Sequence, residues 1–256
     1  IFSSSYGNSC NAGYTSLCYQ IDREIVLNPS LIQVFSCGNS GNSNCGYGAG
    51  SGWGNITGGH KQAKNVIATA NLNYNGTLVS SSSRGPASDG RIKPDVVAPG
   101  IEICSGRAEE AKSPIGFACG TGVHTNGDPL YMSASGTSQS ASVAGGLAAL
   151  TREFIREQVN IASPTASLIK AAMINGADDL GTPDVPNQNE GWGQLNLENT
   201  VMPTDGSTVL STYFDDGKVL QPSFGLVYEL TMDPSHGIDI TLAWNDDAGS
   251  ANSPQV

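Results

Sequence analysis

The order of apolar and polar residues along the chain predicts a sheet with helical crossovers. Two short apolar runs, residues 30–35 and 66–70, are bounded by Gly and Asn turn residues, as buried strands are. Residues 20–28 have helical character and end before Pro29, and residues 1–7 are typical of a strand that runs into a turn. Because continuous apolar strands next to helices indicate a sheet covered on both faces, we expect an α/β fold with a parallel sheet and helical crossovers.

Two further helices are predicted in the second half of the chain. The longer one covers residues 138–159, where Val143 and Leu147 belong to a set of apolar residues near helical spacing. Its first half contains almost only small or apolar residues, so we expect it to be buried on all sides. The second helix is predicted to begin with Ser163 as its N-cap and to stop near Gly176.

After Pro203 the helical period disappears and strand-like alternation begins. The alternating segments are residues 208–213, 226–230 and 238–244. We therefore predict two domains: residues 1–202 form the incomplete α/β domain, and residues 203–256 form the beginning of an antiparallel β-sandwich.

Composition and charge exclude some functions. Hydrophobic residues make up 38% of the 256 residues, which is enough for a sizeable core. The 12 basic and 23 acidic residues leave a net charge of -11, which argues against binding nucleic acid or docking on an anionic membrane. The longest apolar stretch, around Val143 to Leu150, is far too short to span a bilayer. Both ends look cut from a longer chain, and neither carries a targeting signal.

The cysteines favour an oxidising compartment. Six cysteines at short spacings suggest disulfides, so we expect an extracellular protein or one of the secretory pathway. N-glycosylation sequons at Asn55 and Asn75 favour the same compartment. Several pairings are open, and we favour local bridges that each close a polar loop: Cys10–Cys18, Cys37–Cys45 and Cys104–Cys119. The absence of a Cys-x-x-Cys pair makes a zinc site a weak alternative.

The segment Gly136-Thr137-Ser138 at the start of the long helix carries the strongest candidate chemistry. A serine in the first turn of a helix lies beside backbone N–H groups that have no helical partner. A hydroxyl placed there can attack a carbonyl while the same turn stabilises the oxyanion that forms. Gly136 would let a substrate backbone approach closely. The alternative is that Ser138 only caps a core helix.

This segment, followed by small residues and an Ala-Gly-Gly helix, resembles the nucleophile motif of the subtilisin-like serine proteases (subtilases, peptidase family S8). The other segments that resemble the family follow in its order: residues 5–7 (Ser-Tyr-Gly), 37–41 (Cys-Gly-Asn-Ser-Gly), 83–86 (Ser-Arg-Gly-Pro), 89–100 (Asp-Gly-Arg-Ile-Lys-Pro-Asp-Val-Val-Ala-Pro-Gly) and 191–193 (Gly-Trp-Gly). The run at residues 89–100 is the most specific of them. The spacing of Asn39 and Ser138 is similar to that of the larger members, which add a β-sandwich.

The resemblance implies a serine endopeptidase that hydrolyses peptide bonds through an acyl-serine intermediate. Ser138 would be the nucleophile, and Asn39 would donate its side-chain amide to the oxyanion together with the backbone N–H of Ser138. A polypeptide substrate would pair with residues 5–7 as an added strand. The residues that the resemblance places around the substrate are Ser5, Tyr6, Gly7, Cys37, Gly38, Gly136 and Thr137.

No cofactor is expected for this chemistry, although the family often binds structural calcium. The carboxylate pairs that could serve are Asp178-Asp179, Asp215-Asp216 and Asp246-Asp247. Solvated turn acids are favoured over calcium ligands at each pair, because no full set of oxygen ligands is present in the sequence.

The histidines depart from the family pattern. The family places its aspartate and histidine before the oxyanion asparagine, whereas His60, His124 and His236 all follow Asn39. Each lies in a predicted loop or turn, and only His124 precedes Ser138 closely enough to be worth testing as a base. We therefore expect the missing triad members upstream of Ile1, and we expect this part of the protein alone to be inactive and poorly stable.

Two other functions remain open at this stage. The missing base suggests a catalytically inactive member of the same fold that binds peptides or acts as a scaffold. The Ser-, Gly- and Asn-rich composition with cysteines suggests instead a secreted adhesion or carbohydrate-binding protein.

Overall fold

A four-stranded parallel sheet organises the first part of the molecule. The computed structural model describes residues 1–7, 10, 13–45, 52–56, 58–107, 131–181, 183–205, 208–219, 223, 225–231, 235 and 237–251. The strands lie in chain order: β1 (Phe2–Ser4), β2 (Gln33–Ser36), β3 (Ile67–Leu72) and β4 (Val96–Pro99). Helix α1 (Ser16–Leu27) connects β1 to β2. The expected α/β fold with a parallel sheet and helical crossovers is thereby confirmed.

Three more α-helices, a pair of short strands and a 3₁₀ helix lie around this sheet among the described residues. Helix α2 (Thr137–Glu157) packs on all four strands, and α3 (Ala166–Asn175) and the short α4 (Leu197–Val201) pack against α2. Strands β5 (Ile103–Gly106) and β6 (Tyr131–Ala134) form an antiparallel pair. A 3₁₀ helix, Gly59–Gln62, packs against α1. In the part of the chain that the structure describes, no helix is both long enough and apolar enough to cross a membrane.

Both faces of the sheet are covered, which explains the continuous apolar runs of its strands. In β4, Val96 and Ala98 join the larger core cluster with α1, α2 and α3. Val97 between them faces the other way, into a second cluster with Ile56 and Leu72. Because neighbouring side chains of a strand point to opposite faces, a strand between two cores needs apolar residues at every position.

Already in its first half, helix α2 is buried on one face only, so the expectation that this half is buried on all sides is wrong. Ala141, Ala144 and Ala148 are fully buried against the sheet, whereas Val143 and Leu150 are 36% and 49% exposed. The sheet covers a single stripe of the helix, and residues three or four apart share that stripe.

Helix α3 begins two residues later than predicted. Its N-cap is Thr165, whose Oγ1 accepts a hydrogen bond from the backbone N–H of Leu168 (3.1 Å). Ser163 instead shares a hydrogen bond with Ser30 (3.0 Å). Thr165 lies on the other side of Pro164, directly before the first helical residue, where its hydroxyl can reach the unpaired N–H of the first turn.

The part after residue 203 shows less regular structure than predicted. Two-residue strands β7 (Thr204–Asp205) and β8 (Thr208–Val209) pair antiparallel. The predicted strands at residues 226–230 and 238–244 are not strands in the structure, and side chains such as Leu242 are largely exposed. A strand requires a hydrogen-bonded neighbour, which the described residues do not provide here. The β-sandwich and the domain boundary at residue 202 stay predictions.

The disulfide pairing differs from the favoured one. Cys10 is bonded to Cys45, and Cys18 and Cys37 are buried thiols. Helix α1 directs Cys18 into the core, and Cys37 at the end of β2 points into the second cluster, so neither can reach a loop partner. Cys104 is disulfide-bonded, while its expected partner Cys119 lies outside the described residues.

The two sequons differ in their access to solvent. Asn55 is fully buried, donating to the carbonyl oxygen of Ser43 (3.0 Å) and accepting from the backbone N–H of Arg84 (2.8 Å). Asn75 lies exposed in a turn after β3. Only the second sequon is therefore accessible to modification in the folded chain.

A buried charge cluster explains why the motif at residues 89–100 contains Lys93 and Asp95. The Asp95 carboxylate contacts Lys93 Nζ (2.6 Å) and Lys170 Nζ (2.7 Å), and it accepts the backbone N–H of Ala68 on β3 (2.7 Å). Burial opposes ionisation of Asp95, but the charges of Lys170 and Lys93 outweigh it and lower its pKa. The cluster therefore connects the segment just before β4 to helix α3.

Candidate functional site

The predicted site residues meet at one edge of the sheet. Ser5 follows β1, Asn39 follows β2, and Ser138 lies in the first turn of α2. Parallel strands bring their carboxyl ends to the same edge, so residues distant in sequence become neighbours there. Ser138 Oγ donates to the carbonyl oxygen of Ser5 (3.4 Å), and Ser5 Oγ donates to the carbonyl oxygen of Ser138 (3.1 Å).

Asn39 is held against the start of α2 by its oxygen atom. Its Oδ1 accepts from the backbone N–H of Thr137 (2.9 Å) and from Thr137 Oγ1 (3.1 Å). Thr137 Oγ1 in turn accepts from the backbone N–H of Gly38 (3.1 Å). With Oδ1 engaged, the amide Nδ2 has no hydrogen-bond partner among the described residues. The backbone N–H of Ser138, at a helix start, likewise has none there.

Gly136 allows this close approach of Asn39. Its φ of 147° belongs to a region that side chains with a Cβ rarely adopt. A Cβ on Gly136 would lie 3.1 Å from Asn39 Nδ2. We predicted Gly136 to make room for a substrate backbone, and the contact found in the structure is with the asparagine side chain instead.

A cavity of about 270 Å³ opens between these elements. Four of the predicted substrate-binding residues line it together with the two predicted catalytic residues: Ser5, Gly7, Gly38, Thr137, Asn39 and Ser138. Ser36, Ser40 and Lys61 complete the lining. The lining residues have polar side chains or are glycines, so the cavity suits a polar group rather than an apolar one.

Two of the remaining predicted residues lie outside this lining. Tyr6 is 62% exposed beside the cavity. Cys37 is fully buried behind it, where its Sγ donates to the carbonyl oxygen of Ser83 (3.2 Å). Burial raises the pKa of the Cys37 thiol to about 11, so it is uncharged at neutral pH.

His60 lies in the 3₁₀ helix Gly59–Gln62 and is buried, where we predicted a loop. Its ring packs between Tyr6 (ring centroids 4.7 Å apart) and Phe35 (4.9 Å). Nε2 is 3.1 Å from the carbonyl oxygen of Tyr6. Burial lowers the pKa of His60, which favours the neutral ring, and a neutral ring can donate from Nε2 to that carbonyl. His124 and His236 lie outside the described residues.

Lys61 is the residue that sequence reasoning missed. It is 2% exposed, and its Nζ donates to Ser36 Oγ (3.4 Å) at the cavity. Burial lowers its pKa to about 8, so it is largely protonated at neutral pH. The only signal in the sequence was a cation within a glycine-rich loop, and such residues usually point to solvent.

The three carboxylate pairs are engaged by donors of the protein itself. Asp178 accepts from Asn196 and Asn199, Asp216 accepts from Thr165, and Asp246 pairs with Lys64. Over the described ranges, no group of three or more His, Cys, Asp or Glu side chains is placed to hold a metal ion.

Comparisons with known proteins show which family the sequence resembles. Residues 1–193 match the Subtilase family (Peptidase_S8). The Dictyostelium discoideum "Serine protease/ABC transporter B family protein tagA" is 32% identical over 184 residues, which cover 66% of this chain and 10% of that protein. "Serine protease AprX" of Bacillus subtilis is 33% identical over 125 residues, which cover 49% of this chain and 25% of that protein.

Two solved structures share the fold. The prenylagaramide maturation protease PagA superposes with a TM-score of 0.52 at 18% identity, covering 77% of this chain and 58% of that one. The patellamide maturation protease PatA gives a TM-score of 0.51 at 18% identity, covering 76% and 59%.

The chain thus spans only about a tenth of the length of tagA and about a quarter of AprX. The family match nevertheless includes every residue from Ser5, which follows β1, to Ser138 at the start of α2. Because the family model matches residues 1–193, about three quarters of its length, the chain belongs to the subtilase family of serine proteases.

Proposed function

We propose that this chain carries the nucleophile and the oxyanion-binding groups of a serine endopeptidase. The observation that carries the proposal is the pair of hydrogen bonds from Thr137 to Asn39 Oδ1, which holds the asparagine amide beside the turn that contains Ser138. This turn also offers the N–H of Ser138. Two donors next to one hydroxyl form the arrangement that stabilises charge on an attacked carbonyl.

In the proposed reaction, Ser138 Oγ forms a bond to the carbonyl carbon of a peptide while a base takes its proton. The carbonyl oxygen becomes an oxyanion that accepts hydrogen bonds from Asn39 Nδ2 and from the N–H of Ser138. The intermediate then expels the amine, which receives the proton, and leaves an acyl-serine. Water hydrolyses this ester by the same steps and restores the hydroxyl.

The base is proposed to come from residues upstream of Ile1, together with the aspartate that orients it. Support comes from the family order, in which both precede the oxyanion asparagine, and from the position of His60. The Nε2 atom of His60 contacts the Tyr6 carbonyl, and its ring is enclosed between two aromatic rings. Without a base within hydrogen-bond reach, a serine hydroxyl is a poor nucleophile.

The substrate is proposed to be an extended polypeptide that pairs with residues 5–7. This segment is exposed and continues from the edge strand β1, which offers unpaired backbone groups. The contact with His60 fixes the carbonyl of Tyr6 within it. The disulfide Cys10–Cys45 supports an oxidising compartment, extracellular or secretory.

Active-site labelling tests the role of Ser138. In the full-length protein, a fluorophosphonate probe should label the wild type, and Ser138→Ala should abolish the labelling. Ser142→Ala is the matched control, because Ser142 is an exposed serine one turn further along α2. Undiminished labelling of Ser138→Ala would remove Ser138 from its role.

The same experiment separates the enzyme from a peptide-binding scaffold of the same fold. A scaffold would bind extended peptides without labelling in the wild type. The family match favours the protease over an adhesion or carbohydrate-binding protein. Among the described residues, only the composition supports that alternative.

A further inference from the structure

We propose that Asn71 is a positioning residue for Ser138, which it directs through a buried hydrogen bond to Ser140 near the start of α2. The inference rests on the proposed function, because it concerns the same nucleophile. It goes beyond that function in assigning a role to two residues that neither line the cavity nor meet the proposed path of the substrate. Both side chains are fully buried.

The carboxyl ends of all four strands hold the start of α2. Each strand contacts a different residue there: Ser5 after β1 contacts Ser138, Asn39 after β2 contacts Thr137, Asn71 in β3 contacts Ser140, and Gly100 after β4 contacts Gly136. The contacts of Ser138 and Thr137 belong to the site already described. Asn71 instead reaches the helix from the sheet side, where Ser140 is buried. The direction of the Ser138 hydroxyl and N–H therefore depends on contacts from several elements, and Asn71 supplies the one from β3.

The hydrogen bond between Asn71 and Ser140 is anchored on the strand side. Ser140 Oγ donates to Asn71 Oδ1 (3.2 Å). The backbone of Asn71 is held in turn, because its N–H donates to Ser82 Oγ (3.0 Å) and its carbonyl oxygen accepts from the N–H of Val79 (3.0 Å). Gly100 packs against the bond, and a Cβ at this position would collide with Ser140 Oγ and Asn71 Oδ1. Loss of the bond should therefore shift the helix start rather than the strand.

A hydrogen bond at this place contributes direction more than attachment. Side chains an even number of residues apart on a strand share a face, so Asn71 lies on the same face of β3 as Ile67, which packs in the larger core cluster. Apolar residues could fill this space, because replacing both partners of a buried hydrogen bond by apolar groups of the same shape changes stability little. Apolar contact has no preferred direction, whereas a hydrogen bond does. The pair is therefore suited to orient the helix start, where a misplacement of the reacting atoms by about 1 Å costs about 10²-fold in rate.

The first test replaces the hydrogen bond by apolar contact in the full-length protein. When Asn71→Leu is combined with Ser140→Ala, the denaturation midpoint in urea should stay close to that of the wild type, whereas kcat should fall about 10- to 100-fold with little change in KM. Thr69→Val is the matched control and should keep the wild-type kcat. Thr69 lies on the same face of β3, is fully buried, and has no hydrogen-bond partner for its Oγ1 among the described residues. A folded double variant with the wild-type kcat would overturn the proposal.

A single substitution covers the case in which the double variant does not fold. Ser140→Ala deletes one oxygen atom and suits a helix. It leaves Asn71 Oδ1 without its donor, so kcat should again fall, here about 10-fold. Thr151→Val is the control, since Thr151 Oγ1 is a buried hydroxyl later in α2 with no partner in the described part of the chain. Equal kcat values for Ser140→Ala and Thr151→Val would show the proposal to be wrong.

Inhibitors separate the geometry of the helix start from the binding of substrate. A peptide aldehyde bonds to Ser138 Oγ at its carbonyl carbon while the serine proton moves to the carbonyl oxygen, and the adduct resembles the tetrahedral intermediate. The corresponding peptide alcohol has no carbonyl and binds without forming this bond. The inhibition constant of the alcohol should be the same in wild type and double variant, whereas that of the aldehyde should rise about 10-fold in the variant. Equal weakening of both inhibitors would show a general disturbance of the site and contradict the proposal.

The wild type and the variants report on different claims. Fluorophosphonate labelling and peptide cleavage by the wild type test the proposed function, and their absence would overturn this inference as well. Labelling and cleavage in the wild type, with the same kcat in the folded double variant, would leave the protease and remove the role of Asn71. A fall in kcat that matches the fall in the folded fraction would show that Asn71 and Ser140 only stabilise the fold, and would also contradict their positioning role.

Discussion

Asn39 and Thr137, which lie at the ends of two different elements, are joined through one carboxamide. The oxygen of Asn39 accepts both the backbone N–H of Thr137 (2.9 Å) and its hydroxyl (3.1 Å), so a residue after β2 caps the start of α2. The cap uses only the oxygen. The amide nitrogen has no partner among the described residues, so in the proposed function it can donate to an incoming carbonyl while the oxygen holds the helix start.

This division can be tested by two substitutions at Asn39. Asn39→Asp keeps an acceptor for Thr137 but loses the amide donor, whereas Asn39→Ala loses both. Both variants should lower kcat by about 10²–10³-fold with little change in KM. Only Asn39→Ala should also lose about 0.5–2 kcal/mol of the free energy of unfolding, because only it removes the cap. Steady-state kinetics and urea unfolding measure the two effects; normal turnover in Asn39→Asp would contradict the oxyanion role.

Substitution of Gly136 should destabilise the protein at the same contact. Gly136→Ala places a Cβ at 3.1 Å from Asn39 Nδ2 and forces a residue with a side chain to a φ of 147°. We expect a loss of about 1–3 kcal/mol in the free energy of unfolding.

Gly146→Ala is the matched control for this experiment. Gly146 lies inside α2, and no atom comes within 4 Å of the Cβ that would be added. This change should raise stability by about 0.5–1 kcal/mol, because alanine favours a helix interior. Equal effects of both substitutions in thermal unfolding would refute the special role of Gly136.

His60 should make the stability of the fold depend on pH. Burial lowers its folded pKa below the ordinary value of 6.5, so the unfolded chain binds a proton more readily than the folded one. The contribution of neutral His60 is fully present above pH 6.5 and is lost as the pH falls from there through its folded pKa. His60→Gln keeps a donor for the Tyr6 carbonyl and cannot titrate. The difference in unfolding free energy between pH 7 and pH 5 should therefore be smaller in His60→Gln than in wild type, and an unchanged difference would exclude His60 as its source.

Removal of the buried carboxylate at Asp95 should be strongly destabilising. Asp95→Asn leaves Lys93 and Lys170 without their shared counter-charge inside the protein. Breaking a buried ion pair in this way costs about 3–5 kcal/mol. Asp215→Asn serves as the control, because Asp215 pairs with the exposed Lys218 and its loss should change the denaturation midpoint little. A midpoint for Asp95→Asn that equals the control would show that the cluster adds no stability.

The sequence by itself determined the α/β class of the fold and predicted the chemistry proposed for the segment around Ser138. Apolar runs next to helical segments predicted the parallel sheet, because local patterns report which faces of an element are covered. The motifs around Asn39 and Ser138 predicted two residues that the structure brings to one edge. The number of residues between them does not give their distance in space. They become neighbours because α2 packs on the sheet with its first turn beside the segment that follows β2.

Tertiary structure alone decided the contacts that depend on packing from several elements. It enclosed His60 and Lys61 in a 3₁₀ helix although glycine-rich neighbours suggested a solvent-exposed loop, and it joined Cys10 to Cys45 rather than to Cys18. It also exposed one side of α2, because the sheet covers a single stripe of any helix laid on it. Burial, charge state and cysteine pairing depend on which surfaces pack against each other. That packing is determined jointly by residues that lie far apart in the sequence.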